Sequence, residues 1–351
     1  MNARMIGSVA LSCMLMACAA ETGDQENVGT TSDALTTRAD GAVLVYAPTL
    51  STDSAQNPAF IGSTILFTTF HSGYNNGSAG LFTQDGTAVK TIVDTKTADF
   101  VDLPGSAYNQ ATGRITYAAD YDSSSDNVWT SNPDGTNAIK VTNLNSAIEP
   151  SFSPDGKQIV FEYSPASGNH KIGRINTDGT NLVYLTDGTH DDRQPNWSPA
   201  GNVIVFQRTT TGGDANLVTV NSDGTGLFVL PGILGTDASF APDGTYIVHS
   251  CGTFSKMDNI CIVATGGGKQ IRVTTSSVYD GAPSWSPDGK WIAFESGGDG
   301  TVPTQIWKIA SPVVVAPAPG AGSPTTKPAV NPSKFLREQW EQAWVETRSM
   351  E

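Results

Sequence analysis

The residues best suited to chemistry are the four consecutive His190-Asp191-Asp192-Arg193. An imidazole beside two carboxylates can hold a divalent metal or move a proton. Neighbours along one loop rarely converge on one ion, however, so neither a metal ligand nor a catalytic residue is assigned to them, and no cofactor is expected. They belong to a wider pattern. An acid precedes a recurring aromatic by three to six residues at Asp102, Glu149, Asp192, Asp237 and Asp280, with Asp99 close by. Set around a ring, Asp102, Glu149, His190, Asp191, Asp192, Arg193, Asp237 and Asp280 would form a negatively charged mouth able to take a basic peptide segment or a hydrated cation. The plainer reading is that Asp and Glu favour loops and turns. Asp120, Asp122 and Asp126 read as a solvated acidic loop, with a calcium site as the alternative. The four histidines (His71, His170, His190 and His249) show no ligand spacing. Cys251 and Cys261 flank a short segment between two expected strands and would form a disulfide outside the cytosol, or two buried thiols otherwise.

Composition narrows the partners. The chain has 351 residues with 34 acids against 20 bases, a net charge of −14. Phosphate binding needs clustered Lys and Arg, so nucleic acid is excluded, as is docking on anionic lipid through basic patches. Only 15% of residues are charged and 38% are hydrophobic, so a sizeable core can form.

The elements that would position these residues repeat. Phe152-Ser153-Pro154-Asp155-Gly156 is followed by the apolar run Ile159-Val160-Phe161. The pattern returns at Trp197, Phe240 and Trp285 after steps of 45, 43 and 45 residues. Two weaker copies, at Tyr108 and Phe60, lie 44 and a further 48 residues upstream. Proline presets φ for the second turn position and glycine ends the turn, so Ser-Pro-Asp-Gly reverses the chain between two strands. A third strand, an Asp-Gly marker and a fourth strand follow in most copies. Four short strands per 43–48 residues predict a propeller blade. The sixth copy stops at Ile309-Ala310, and an orphan strand, Ala42–Tyr46, precedes the first. That strand is expected to complete the last blade, with Val313–Val315 as the alternative. Closure would leave no long unpaired sheet edge. The recurring aromatics are read as inter-blade packing.

Taken together, the repeats resemble the TolB-type, WD-like β-propeller over residues 42–310. The resemblance implies an all-β, six-bladed propeller of four-stranded blades closed by an N-terminal strand. It does not choose a function, because the same repeat serves envelope binding proteins, prolyl-oligopeptidase-like peptidases and some polysaccharide lyases. The Gly-x-Ser-x-Gly motif of the peptidases does not occur in the sequence, and the His-rich metal site of the lyases has no counterpart.

The ends are read separately. Arg4, the apolar run Met5–Met16 and Ala17-Cys18 resemble a bacterial lipoprotein signal. The resemblance implies removal of residues 1–17, lipidation of Cys18 and a flexible tether over 18–41. The alternative is an ordinary secretory signal cut after Ala17, Ala19 or Ala20. Residues 311–332 hold six prolines and read as a Pro/Ala-rich linker. Residues 333–351 read as an amphipathic helix with a docking stripe of Leu336, Trp340 and Trp344. The expected function is a non-catalytic, lipid-anchored, exported propeller, periplasmic or at the cell surface, that binds an envelope protein or peptide at its acidic mouth. A metal-assisted polysaccharide lyase or hydrolase and a passive surface lipoprotein are the alternatives. Oligomeric state is left open.

Overall fold

The structure, a computed structural model, describes residues 36–50, 52–70, 77–83, 89–92, 101–102, 107–120, 126–253, 256–297 and 303–318. These residues form strands and turns, with no helix among them. The expected C-terminal helix and its stripe, the signal segment, Cys18, Asp99, Asp122 and His71 lie outside the described residues.

In chain order, β1 (Val43–Tyr46) comes first. One sheet then holds β2 (Ser54–Ile61), β3 (Thr64–Phe70), β4 (Gly77–Thr83) and β5 (Val89–Thr91) in that spatial order. A second holds β6 (Val101–Asp102), β7 (Tyr108–Asn109), β8 (Arg114–Ala119), β9 (Asn127–Ser131) and β10 (Ile139–Lys140), with β6 and β7 both pairing β8. A third holds β11 (Ala147–Phe152), β12 (Gln158–Tyr163), β13 (Lys171–Asn176) and β14 (Val183–Tyr184). A seven-stranded sheet follows: β15 (Asp191–Trp197), β16 (Val203–Thr209), β17 (Ala215–Asn221), β18 (Phe228–Phe240), β19 (Tyr246–Thr253), β20 (Lys256–Ala264) and β21 (Ile271–Arg272). The last sheet runs β1, β24 (Gln305–Ala310), β23 (Trp291–Ser296), β22 (Asp280–Trp285), so the N-terminal strand closes the C-terminal sheet. Residues 311–318 pair as no strand. The expected break between a fourth strand at Leu227–Leu230 and the strand ending at Phe240 is absent. Pro231 to Thr236 stays within the strand, with Gly232 at φ 69°, and β18 pairs β17 through its first part and β19 through its second.

The turns explain why the strands stop where they do. In Ser153-Pro154-Asp155-Gly156 the Ser153 hydroxyl donates to Asp155 Oδ1 (2.7 Å) and accepts from the Gln158 amide (2.9 Å), while Gly156 N donates to Ser153 O (2.8 Å). Ser286-Pro287-Asp288-Gly289 repeats each bond. Burial works against the charge of Asp155 and Asp288, yet the serine hydroxyl and the following amides hold both carboxyls below their ordinary range. The second turns are Asx turns: in Asp178-Gly179-Thr180 and Asp223-Gly224-Thr225 the threonine amide and hydroxyl both donate to the aspartate.

Among the described residues the core is divided into six apolar clusters, most of them bridging consecutive repeats. Val160 and Ile172 pack with Trp197, Ile204 and Phe206. Val203 and Leu217 pack with Phe240 and Ile247. Val248 and Ile260 pack with Trp285 and Phe294. Val45, Ala293 and Ile306 from the last sheet pack with Phe60 and Phe67 from the first, which joins the two ends of the repeat array. The aromatic before each turn is thus wedged between consecutive repeats, where burial of such a ring is worth about 1.5–3 kcal/mol.

The segments flanking the array pack on it. From Thr36 the chain lies against the last sheet. Arg38 bonds both oxygens of buried Asp280 (2.8 and 3.0 Å) and spans Phe294 and Trp307, 5.2 and 5.1 Å from the ring centres. After β24, Val315 is buried against Trp285 and Ile292, and a Cβ at Gly289 would fall 2.2 Å from Val315 Cγ2. Cys251 and Cys261 form a disulfide across β19 and β20, with Cα atoms 5.6 Å apart.

Candidate functional site

The first strand of each repeat ends at one place. Phe60, Tyr108, Phe152, Trp197, Phe240 and Trp285, one aromatic per repeat, line a single cavity of about 390 Å³. Pro154, Pro199, Pro242 and Pro287 of the turns continue the wall, and Gln110, Ala111 and Ala318 stand at it as well. Ser151, Asn196, Ser239 and Ser284, each one residue before its aromatic, supply a ring of buried polar groups. Two of these lock neighbouring strands together: Ser151 Oγ accepts from the Trp197 amide (3.1 Å) and Asn196 Oδ1 from the Phe240 amide (3.2 Å). The volume suits a small ligand or a few residues of an extended peptide, and the walls are largely apolar with fixed polar points. The aromatics therefore do two jobs, packing between repeats and walling a funnel, and the second carries no signal in the sequence.

Beside the funnel, sharing Asn196 and Ser239 with it, a small cavity of about 30 Å³ forms a waist lined by Asn57, Glu149, Gln194, Asp237 and Ala282. Each lies three residues before its aromatic, and each has a positive φ, between 47° and 54°. The strand pairing slips by one at these positions, as at Gln56/Ala59, Ile148/Ser151 and Arg193/Asn196. A bulge of this kind turns one backbone amide out of the ladder. Side chains of the preceding repeat accept those amides: Glu295 Oε2 from Asn57 N (2.9 Å), Glu162 Oε2 from Gln194 N (3.1 Å) and Ser250 Oγ from Ala282 N (3.1 Å).

The acids assigned to the mouth, Asp102, Glu149, Asp191, Asp192, Asp237 and Asp280, lie in strands, not in loops, and they separate into groups. Glu149 and Asp237 reach the waist. Asp237 is heavily bonded, accepting from Ser250 Oγ (2.8 Å), Thr236 Oγ1 (2.7 Å) and Gln194 Nε2 (2.5 Å). Asp192 and Asp280 are fully buried in ion pairs, Asp192 with Arg208 (2.6 and 2.8 Å) and Asp280 with Arg38. Asp191 accepts from Arg193 Nε (2.9 Å) and the His170 amide (3.1 Å). The Arg193 and His170 bonds outweigh its burial and hold the Asp191 carboxyl below its usual range. His190 is exposed beside a further cavity of about 600 Å³ that also holds Asp191, Asn169 and Thr209. Asp102 lies in β6, whose backbone pairs β8. Asp126 is raised by burial and by the charge of Asp120. Among the described residues no three His, Cys, Asp or Glu side chains cluster as metal ligands.

No protein-family model and no curated protein matches the sequence. Solved structures do. TolB from Acinetobacter baumannii is 15% identical over 77% of this chain and 81% of its own, with a TM-score of 0.53. A gluconolactonase from Xanthomonas campestris is 15% identical over 77% and 89%, with a TM-score of 0.56. A chain of a nidogen/laminin complex is 12% identical over 70% and 84%, with a TM-score of 0.50. At these identities the likeness shows the fold alone: this chain is an all-β protein with a TolB-like, propeller-like fold.

Proposed function

We propose that this protein is a six-bladed propeller that binds an extended segment of another protein in its aromatic funnel. The count of six takes the seven-stranded sheet as two blades sharing β18, consistent with one aromatic per repeat in a single ring. The observation that carries the binding reading is that ring: six aromatics and four prolines around about 390 Å³, with fixed polar groups among them. Rigid aromatic and proline surfaces contact an extended chain at little entropic cost, and buried serine and asparagine groups select its register. Fold neighbours include an enzyme and a member of a protein–protein complex, so the fold does not choose between classes. Export with a lipid on Cys18 belongs to the same proposal. It rests on the Ala17-Cys18 signal pattern and would place the funnel among envelope proteins.

The test is a plug. Ala111 is exposed at the funnel and packs in no core, so Ala111→Trp should narrow the entrance and leave folding intact. Full-length protein and the variant would be compared as bait against detergent-solubilised envelope and, by tryptophan fluorescence, against a decaproline peptide. Loss of a specific partner on plugging supports the reading. A partner retained equally by both proteins removes the funnel as its site.

A further inference from the structure

Beyond the waist, on the outer side of Gln194, three side chains of the β12–β13 hairpin stand in a relay. Glu162 is buried near the end of β12, Ser164 follows it by two residues, and His170 immediately precedes β13. His170 Nδ1 lies 2.5 Å from Glu162 Oε1, and His170 Nε2 lies 3.0 Å from Ser164 Oγ. With a carboxylate at Nδ1 the imidazole carries its proton there, and Nε2 accepts from the serine hydroxyl. Glu162 is itself fixed, because its other oxygen accepts the Gln194 amide. The His170 amide is held by Asp191 Oδ1 at 3.1 Å. The order of contacts, hydroxyl to imidazole to buried carboxylate, is that of a base-activated serine nucleophile.

We propose that Ser164, His170 and Glu162 form a nucleophilic site that hydrolyses acyl esters. Ser164 Oγ attacks the acyl carbon while its proton passes to His170 Nε2 and the carbonyl electron pair moves onto oxygen. Collapse expels the alkoxide, which leaves as the alcohol with the proton from His170. Water then repeats the sequence on the acyl-serine, releasing the carboxylic acid and restoring the hydroxyl, with no net redox change. Glu162 is a positioning residue that keeps the ring in the required tautomer. Ala166, Ser167, Gly168 and Asn169, in the connection between serine and histidine, are exposed residues, and their backbone amides would be the donors called on by the developing oxyanion. The adjoining cavity, with Asn169, Thr189, Asp191 and Thr209, sets amide, hydroxyl and carboxylate groups into a mostly apolar wall and offers room for the acyl or alcohol part of an ester. The site adjoins the start of β15, whereas Trp197 of the funnel ends that strand, roughly 20 Å further on. The relay touches the waist through Glu162, which accepts the Gln194 amide, but its chemistry requires no partner in the funnel.

The probes are a fluorophosphonate, whose P–F bond breaks as the serine oxygen bonds phosphorus and fluoride leaves, and p-nitrophenyl acetate. On the full-length protein the adduct should map by mass spectrometry to Ser164. Ser164→Ala should remove it, and His170→Gln should slow labelling about 100-fold, within the usual range for a general base. Glu162→Gln should lower the labelling rate at saturating probe and leave the half-saturating concentration unchanged, a split that loss of structure would not produce. Ester turnover should fall in the same order. Wild-type protein that carries no adduct at Ser164, a mapping that needs no variant to fold, would overturn the proposal. So would equal turnover by Ser164→Ala.

Discussion

Glu295 accepts the backbone amide of Asn57, Oε2 to N 2.9 Å, although 238 residues separate them. The bond joins the last repeat to the first. It sits at the same bulge where Glu162 accepts Gln194 and Ser250 accepts Ala282, so ring closure uses the bond that elsewhere joins consecutive repeats.

Glu295→Ala should therefore loosen the closure. It leaves a partly buried amide without an acceptor, a cost of about 1–3 kcal/mol. Asn57→Gly keeps both the amide and the positive φ and should cost far less, whereas Asn57→Val places a β-branched residue at φ 53° and should cost about 1–3 kcal/mol. Urea unfolding of the three variants checks the order, and equal losses for Gly and Val would refute the backbone argument.

Arg38 and Asp280 make the second prediction. Asp280 is fully buried, and Arg38→Ala strands its charge, at about 3–5 kcal/mol. Adding Asp280→Asn to that variant removes the stranded charge and should recover part of the loss. A double variant no more stable than the single one would mean that the loss comes from the rings Arg38 covers, not from the charge.

His249 occupies the position held by Phe161, Phe206 and Phe294 in neighbouring repeats. It is fully buried, its Nε2 has no hydrogen-bond partner, and burial pushes its pKa down to about 4. The folded chain thus resists a proton that the unfolded chain takes up near pH 6.5. Stability from this residue is full above about pH 6.5 and is lost as pH falls toward 4, by about 3 kcal/mol at most. Denaturant midpoints between pH 7 and 4 should show the fall, and His249→Phe should flatten it, whatever that variant's stability at neutral pH.

The disulfide closes a separation of 10 residues. Chain-entropy estimates give such a short loop about 2–3 kcal/mol. Reduction should lower the urea midpoint accordingly, and Cys251→Ser with Cys261→Ser should match the reduced protein and no longer respond to reductant. A midpoint indifferent to reductant in the unaltered chain would mean that the paired strands already hold what the bridge holds.

How much of this was legible varies with the range of the interaction. Ser-Pro-Asp-Gly closes its own hydrogen bonds within six residues, so the turns, the repeat and most strands could be read locally. Even the closing strand could be placed, by counting which repeat lacked a fourth strand. The acids could not be sorted. Asp237 and Glu149 stand three residues before their aromatics and reach the waist; Asp192 and Asp280 stand five before and are buried. Simple alternation along a strand would put all four on one face. The bulge between the two positions adds a residue and breaks that parity. The relay of Glu162, Ser164 and His170 carries no motif and shows only once a hairpin folds serine and histidine together.

The repeat period, the turn chemistry, the wedged aromatics and the acidic balance belong to the sequence by itself, because each depends on residues close in the chain or on composition. The tertiary structure alone decided which carboxylates meet an arginine, which face the channel and that the wedges also wall a funnel. Those outcomes depend on strand register and on partners as far apart as Arg38 and Asp280, and no local preference encodes them.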